Sequence, residues 1–172
     1  MHRGLIALLF VTCFSSSSAR AQRIELQAYP AGVIGIVSFT FRHVGPVRAS
    51  MHAGVNITDR RDWGEQDDES GYGFGAGIDV NRFLSDSEEG FWYGARVDFW
   101  SMLINWENKA LSLKADSRIL VFQPTARAGY AFSGLGRKID LTLGLGVEKN
   151  IATHGENVGQ GAILLAGLRL TI

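Results

Sequence analysis

Residues Ile139 to Lys149 read IDLTLGLGVEK, and no other stretch restricts the fold so strongly. Ile139, Leu141, Leu143, Leu145 and Val147 alternate without a break against Asp140, Thr142, Gly144, Gly146 and Glu148. A period of two is the signature of a β-strand with two chemically different faces. The run is longer than a usual globular strand of about five to six residues. It matches the roughly nine to eleven residues that a tilted strand needs to cross a bilayer core. One face carries no charge and the other carries two carboxylates, as expected for a strand with lipid on one side and a polar interior on the other.

The same alternation recurs along the chain. Ile24, Leu26 and Ala28 oppose Glu25, Gln27 and Tyr29. Val33, Val37, Phe39 and Phe41 oppose Ser38, Thr40 and Arg42. Val47 to Ile57 places Ala49, Met51, Ala53 and Val55 outward, with Arg48, Ser50, His52 and Asn56 inward. Tyr72, Phe74, Ala76, Ile78 and Val80 oppose Gly73, Gly75, Gly77, Asp79 and Asn81. Phe91 to Phe99 sets five apolar residues against Gly94, Arg96 and Asp98, and the pattern blurs beyond Trp100. Leu120 to Phe132 faces Gln123, Thr125 and Arg127, and Ala162 to Ile172 faces Arg169 and Thr171. With the opening stretch this makes eight strands.

Turns are expected at 43–46, 85–90 and 133–138, and longer polar connections at 59–71, 107–117 and 150–159. Short turns at one end and long loops at the other are the habit of outer-membrane barrels. Parity then calls for a strand before residue 33, which 24–29 supplies; a single bent strand from 24 to 42 is the alternative. Lipid cannot satisfy unpaired backbone groups, so the last strand must close on the first. The expected fold is therefore all-β, an eight-stranded antiparallel up-and-down transmembrane β-barrel.

Ahead of the strands, His2 and Arg3 precede the apolar run Leu5 to Phe14, then four serines and Ala19-Arg20-Ala21. That is the layout of a secretion signal cut before Gln22, which divides the chain into a signal at 1–21 and a barrel domain at 22–172. Cys13, the single cysteine, falls inside the apolar run, with a lipoprotein acylation site as the other reading. Without residues 1–21 the chain keeps 15 basic and 17 acidic residues, which argues against a nucleic-acid binder.

Eight strands leave an interior just wide enough for side chains to fill. The inward set contains Arg42, Arg48, Arg96, Arg127 and Arg169 against Glu25, Asp79, Asp98, Asp140 and Glu148. Buried charges are costly unless paired, so these ten are read as a structural network plugging the lumen. A narrow polar pore is the alternative. Glu25 and Arg169 lie on the two strands that must meet at closure, so a pair between them is expected. Outward aromatics Phe39, Phe41, Phe91, Tyr93, Tyr130 and Phe132 cluster at the short-turn side, where girdles form.

The segments GYGFGAGIDVNRFL at 71–84, EGFWYGARVDFW at 89–100, ARAGYAF at 126–132 and IDLTLGLGVEKN at 139–150 resemble the small outer-membrane β-barrel proteins of Gram-negative bacteria, of the OmpA/OmpX-type eight-stranded class. They look most like the single-barrel families of Bacteroidetes-like bacteria. The resemblance spans about 23 to 172. It implies outer-membrane lipids and the barrel-assembly machinery as partners, and an unknown extracellular ligand at 59–71, 107–117 and 150–159. Such barrels often end in Phe or Trp, where this chain has Ile172.

Some relatives of that class modify lipid A with a His–Ser–acid set, in a pattern resembling H-x-S. Here Gly54 and Glu156 stand two residues after His52 and His154, so neither fits. Asp67-Asp68-Glu69 offers carboxylates of the kind calcium takes, but without an EF-hand spacing, and it is read as a solvated loop. No catalytic, metal or cofactor site is assigned. The expected role is structural or surface-interacting, with a narrow channel as the alternative and a lipid-modifying enzyme behind it.

Overall fold

The protein is described by a computed structural model covering residues 22–61, 64–134 and 136–172. The expected signal at 1–21, with Cys13, lies outside the described residues. Eight strands follow in order: β1 (Gln22–Tyr29), β2 (Gly32–Val44), β3 (Val47–Arg61), β4 (Asp68–Phe83), β5 (Gly90–Asn108), β6 (Leu113–Gly134), β7 (Arg137–His154) and β8 (Gly161–Thr171). Each pairs antiparallel with its neighbours in the sequence, and β8 pairs with β1 to close the ring. Residues 24–42 are therefore two strands, with Pro30-Ala31 as the turn and Glu25 opposite Ile36 in the register.

The outer surface is an apolar belt. Ile24, Leu26, Val37, Met51, Val55, Phe74, Ile78, Phe99, Leu143, Leu145, Leu164 and Leu168 are all exposed on it. On β3 the uncharged outward run goes from Val47 to Ile57, roughly 33 Å of strand at about 3.3 Å per residue. A tilt of about 40° reduces that to roughly 25 Å of height, which is the height of a lipid-facing band in membrane barrels. Where the run ends, charges begin: Asp59 and Arg61 on the loop side are exposed.

Two expectations change. The stretches 59–71, 107–117 and 150–159 are strand over half or more of their length. β3 continues to Arg61, β5 to Asn108, β6 begins at Leu113 and β7 runs to His154, leaving connections of 62–67, 109–112 and 155–160. Outward positions in these parts are charged rather than apolar, so they read as loop although the backbone ladder continues through them. The second change is at β2, where the register with β3 shifts between Thr40 and Arg42. A bulge inserts one residue and reverses every side chain after it. Arg42 pairs with Ala49 of the outward face and is exposed, so it belongs to the outer rim and not to the lumen.

The interior is packed by matching small residues to large ones. A methyl group at Gly75 would lie 2.2 Å from Trp100 Cε3 and 2.5 Å from the Phe99 carbonyl oxygen. The bare backbone of β4 is what admits the indole, which is fully buried. Gly75→Ala is expected to destabilise the barrel by about 1–3 kcal/mol, as overpacking does, with a lower urea midpoint of the refolded protein in detergent. An unchanged midpoint would mean that Trp100 is free to move aside.

Candidate functional site

Alternation on eight strands delivers two sets of inward residues that separate by height. Toward the loop end lies an apolar layer: Ile34, Ile36, Trp100, Met102, Ile104, Trp106, Ile119, Val121, Ile163 and Leu165, joined by Tyr29 and by Val158 from the last loop. Toward the turn end lies a charged layer, floored by a small cluster of Phe83, Trp92 and Ala131.

Glu25 is the hub of the charged layer. On the closing seam it stands opposite Arg169. Arg169 donates to its Oε2 from Nε at 3.0 Å and from Nη2 at 2.8 Å. Arg127 donates to its Oε1 from the far wall of the barrel, as do Gln27 at 2.6 Å and Thr142 at 3.2 Å. Arg96 bonds Asp98 at 2.6 Å and Gln27 at 3.0 Å. Asp98 also takes His52 Nε2 at 2.5 Å, while His52 Nδ1 sits 3.8 Å from Asp79. Asp140 lies 3.5 Å from Arg169 and 3.6 Å from Arg48. The floor adds π contacts, with Arg48 over Phe83 at 4.9 Å and Arg127 and Arg169 over Trp92 at 5.6 and 5.5 Å.

Of the ten residues read as a lumen network, eight meet in this layer: Glu25, Arg48, Asp79, Arg96, Asp98, Arg127, Asp140 and Arg169. Arg42 faces outward. Glu148 stands higher, at the loop end, where Arg60 Nη2 reaches it at 2.5 Å. Arg23 joins the layer instead, fully buried. Its signal was available, since it continues the inward series Glu25, Gln27 and Tyr29 by one step. A strand begun at Ile24 omits it.

The loop end has its own charged cluster, which positions a loop. Glu69 is buried and accepts the Gly159 amide with both oxygens at 2.9 Å, and the Glu65 and Gln66 amides at 2.7 and 3.0 Å. Arg60 donates to the Gly159 carbonyl and lies 3.6 Å from Glu69. Ser117 takes a bond from Trp106 Nε1 at 3.0 Å and gives one to the Glu156 carbonyl at 2.8 Å. The connection 155–160 is thus held so that Val158 and Gly159 turn inward, with Val158 inserted into the apolar layer. Beside them a cleft of about 200 Å³ opens over Tyr29, Ala31, Arg60, Glu148 and Ile163. The acidic run Asp67-Asp68-Glu69 is divided by this geometry. Asp67 bonds the Lys109 amide, Asp68 the Lys109 ammonium, and Glu69 turns inside.

The strands also end at unequal heights here. β8 pairs with β7 only up to Glu148, and β2 with β3 only up to Thr58, whereas β3–β4, β5–β6 and β6–β7 pairing continues beyond. β3 to β7 form a raised wall. Along it Ala152 to His154 of β7 pair with β6 and with no other strand among the described residues, and Ile151 is the extra residue where the β6–β7 register shifts. Leu111, Leu113 and Ile151 are exposed on this wall.

At the opposite end, Glu88 in the 84–89 turn bonds Lys138 at 2.9 Å and faces His43 at 3.6 Å. Partial burial alone would raise its carboxyl group. The Lys138 bond, with the charges of Arg48, Lys138 and His43, outweighs that and holds it below the ordinary glutamate range.

No protein-family profile matches the chain, and no curated protein matches it. Solved structures resemble it, and two of them are as follows. Neisserial surface protein A is 14% identical with a TM-score of 0.45, over 88% of this chain and 94% of that one. Ail, the attachment invasion locus protein of Yersinia pestis, solved in complex with the heparin analogue sucrose octasulfate, is 6% identical with a TM-score of 0.45, over 86% and 94%. Both are small eight-stranded outer-membrane β-barrel proteins.

Replacing the hub tests the lumen directly. Glu25→Ala leaves Arg127 and Arg169 buried without their shared carboxylate, and is expected to cost about 3–5 kcal/mol, read as a lower urea midpoint in micelles. Arg169→Ala should cost less, because Arg127 still neutralises Glu25. Equal costs would deny Glu25 its role as hub, and negligible ones would show that the network adds little to folding.

Proposed function

We propose that the protein is an integral outer-membrane barrel with a structural or surface-interaction role, and that residues 1–21 direct its export. The belt is the observation that carries this. Exposed Leu, Ile, Val and Phe encircle the molecule in one uncharged band, an arrangement that water would penalise heavily and that lipid hydrocarbon does not. Phe91 and Tyr130, with ring centroids 4.9 Å apart, and Phe132 lie at its turn-side margin, where aromatic girdles form.

The lumen in this reading is sealed rather than conducting. Its turn half is occupied by ion pairs and its loop half by packed Trp, Ile and Met side chains, with Val158 inserted above. Solute passage would require both layers to move. The refolded barrel is expected to be electrically silent in a planar bilayer across salt and voltage. Discrete steps altered by Arg96→Ala or Arg127→Ala would make the lumen a narrow channel instead.

Interaction falls to the raised wall and the connections 62–67, 109–112 and 155–160, within the stretches 59–71, 107–117 and 150–159. An unpaired strand edge is a template on which an extended polypeptide can add as a further strand, and the β7 edge from Ile151 to His154 is such a template. The barrel-assembly machinery and outer-membrane lipids complete the expected partners. No cysteine occurs after Cys13, so single cysteines report cleanly. On intact cells, Leu111→Cys is expected to react with a membrane-impermeant maleimide, and Ser87→Cys only after the outer membrane is permeabilised. The reverse order would invert the topology, and equal labelling of both in intact cells would remove the membrane placement.

A further inference from the structure

Five arginines and four carboxylates are buried in the turn-half layer: Arg23, Arg48, Arg96, Arg127 and Arg169 against Glu25, Asp79, Asp98 and Asp140. The surplus is local. Arg127 and Arg169 share Glu25, Arg96 has Asp98, and Arg48 has Asp140 at 3.6 Å. Arg23 has no carboxylate within ion-pair distance among the described residues. Its one side-chain bond goes from Nη2 to the Ser50 hydroxyl, and its Nε and Nη1 have no partner.

The groups around it are also donors without acceptors. Ser50 lies two residues from Arg48 on the same inward face, and Arg48 has Nε and Nη2 unbonded. Ser38 stands opposite Arg23 in the register, and its hydroxyl is buried and unbonded. Arg48 and Arg169 are the charges that repel Arg23 most. Asp79 and Asp140 are the attracting ones, and each already has other partners: Asp79 is beside His52 and accepts from Asn81, and Asp140 lies between Arg48 and Arg169. A buried guanidinium without a counter-charge costs several kcal/mol, and arginine does not escape the cost by losing its proton.

We propose that this corner of the lumen, bounded by Arg23, Arg48 and Ser38, binds a small inorganic anion of the halide class as a structural counter-ion. One monovalent anion brings five positive charges and four negative ones into balance. It also supplies an acceptor to guanidinium and hydroxyl donors that have none. The site is independent of the loop-end wall and of any partner that binds there.

The probe is bromide, with gluconate, a much larger organic anion, as the control at equal ionic strength. The full chain, refolded in micelles, is unfolded with urea in each salt. The folding equilibrium constant should rise about tenfold once bromide reaches ten times its dissociation constant, and Arg23→Gln should remove that rise. Wild-type crystals grown in bromide should show an anomalous peak between Arg23 and Arg48, a readout that holds even if the variant does not refold. Equal stability in bromide and gluconate, a full bromide effect retained in Arg23→Gln, or bromide-grown crystals without a peak at that corner would each overturn the assignment.

Discussion

Closure of the hydrogen-bond ladder is the constraint on which everything else in the molecule rests. A sheet whose outer face is hydrocarbon-like on all sides cannot leave an edge at that depth, because no solvent there would satisfy the unpaired amides and carbonyls. The seam between β1 and β8 is therefore obligatory, although β1 is the shortest strand at eight residues. The seam carries a second bond in its side chains, since Glu25 and Arg169 face each other across it. Closing at eight strands then fixes a narrow interior. A narrow interior forces the remaining choices: glycines on β4 opposite Trp100, guanidinium groups stacked on Trp92 and Phe83, and carboxylates shared between cations.

Outside the apolar belt the constraint relaxes, and the wall shows it. Above the belt an edge can be hydrated, so β7 can run on to His154 without β8, and β3 to Arg61 without β2. The unequal heights are consistent with the outer faces. Where the strands rise alone, outward positions include Asp59, Arg61, Asn105, Glu107, Arg118 and Lys149 beside a few apolar ones such as Leu113. The ladder persists there because β3 to β7 support one another and the apolar layer packs against their inner side.

This change of outer solvent also explains what could be read from the sequence. Inside the belt each strand carries apolar residues outward and polar ones inward, so period two gave the strand count, the facing of Arg48, Asp79, Arg96, Asp98, Arg127, Asp140 and Arg169, and the seam. On β5 the polarity inverts past Trp100: Trp100, Met102, Ile104 and Trp106 turn inward, while Ser101 and Asn105 face out. A fixed rule of apolar outside therefore loses the strand where it leaves the apolar belt, and charged outward positions look like loop. On β2 and β8 both faces are apolar at the same height, Ile34 and Ile36 behind Val33 and Val37, and Ile163 and Leu165 behind Leu164. No periodicity can assign such a stretch. Arg42 was lost to a different cause, a bulge whose one extra residue leaves no mark in the pattern.

The molecule uses buried ion pairs at both ends of the lumen, and their surroundings give them different work. In the turn half the pairs lie between an apolar layer and an apolar floor, and every charge there acts on every other through a poorly screening medium. The quantity that matters in that layer is the sum, and removing or adding one charge is felt throughout it. In the loop half, Arg60 and Glu148 line an open cleft and bond each other, while Arg60 and the buried Glu69 bond backbone groups of the connections 62–67 and 155–160. Water near the cleft screens their long-range field, so what they contribute is position. Glu69 ties the Gly159, Glu65 and Gln66 amides together and so joins two connections that are some ninety residues apart in the sequence. The apolar layer between the halves keeps these two uses separate, because it denies water to the lower set while giving Val158 a place to anchor the upper one.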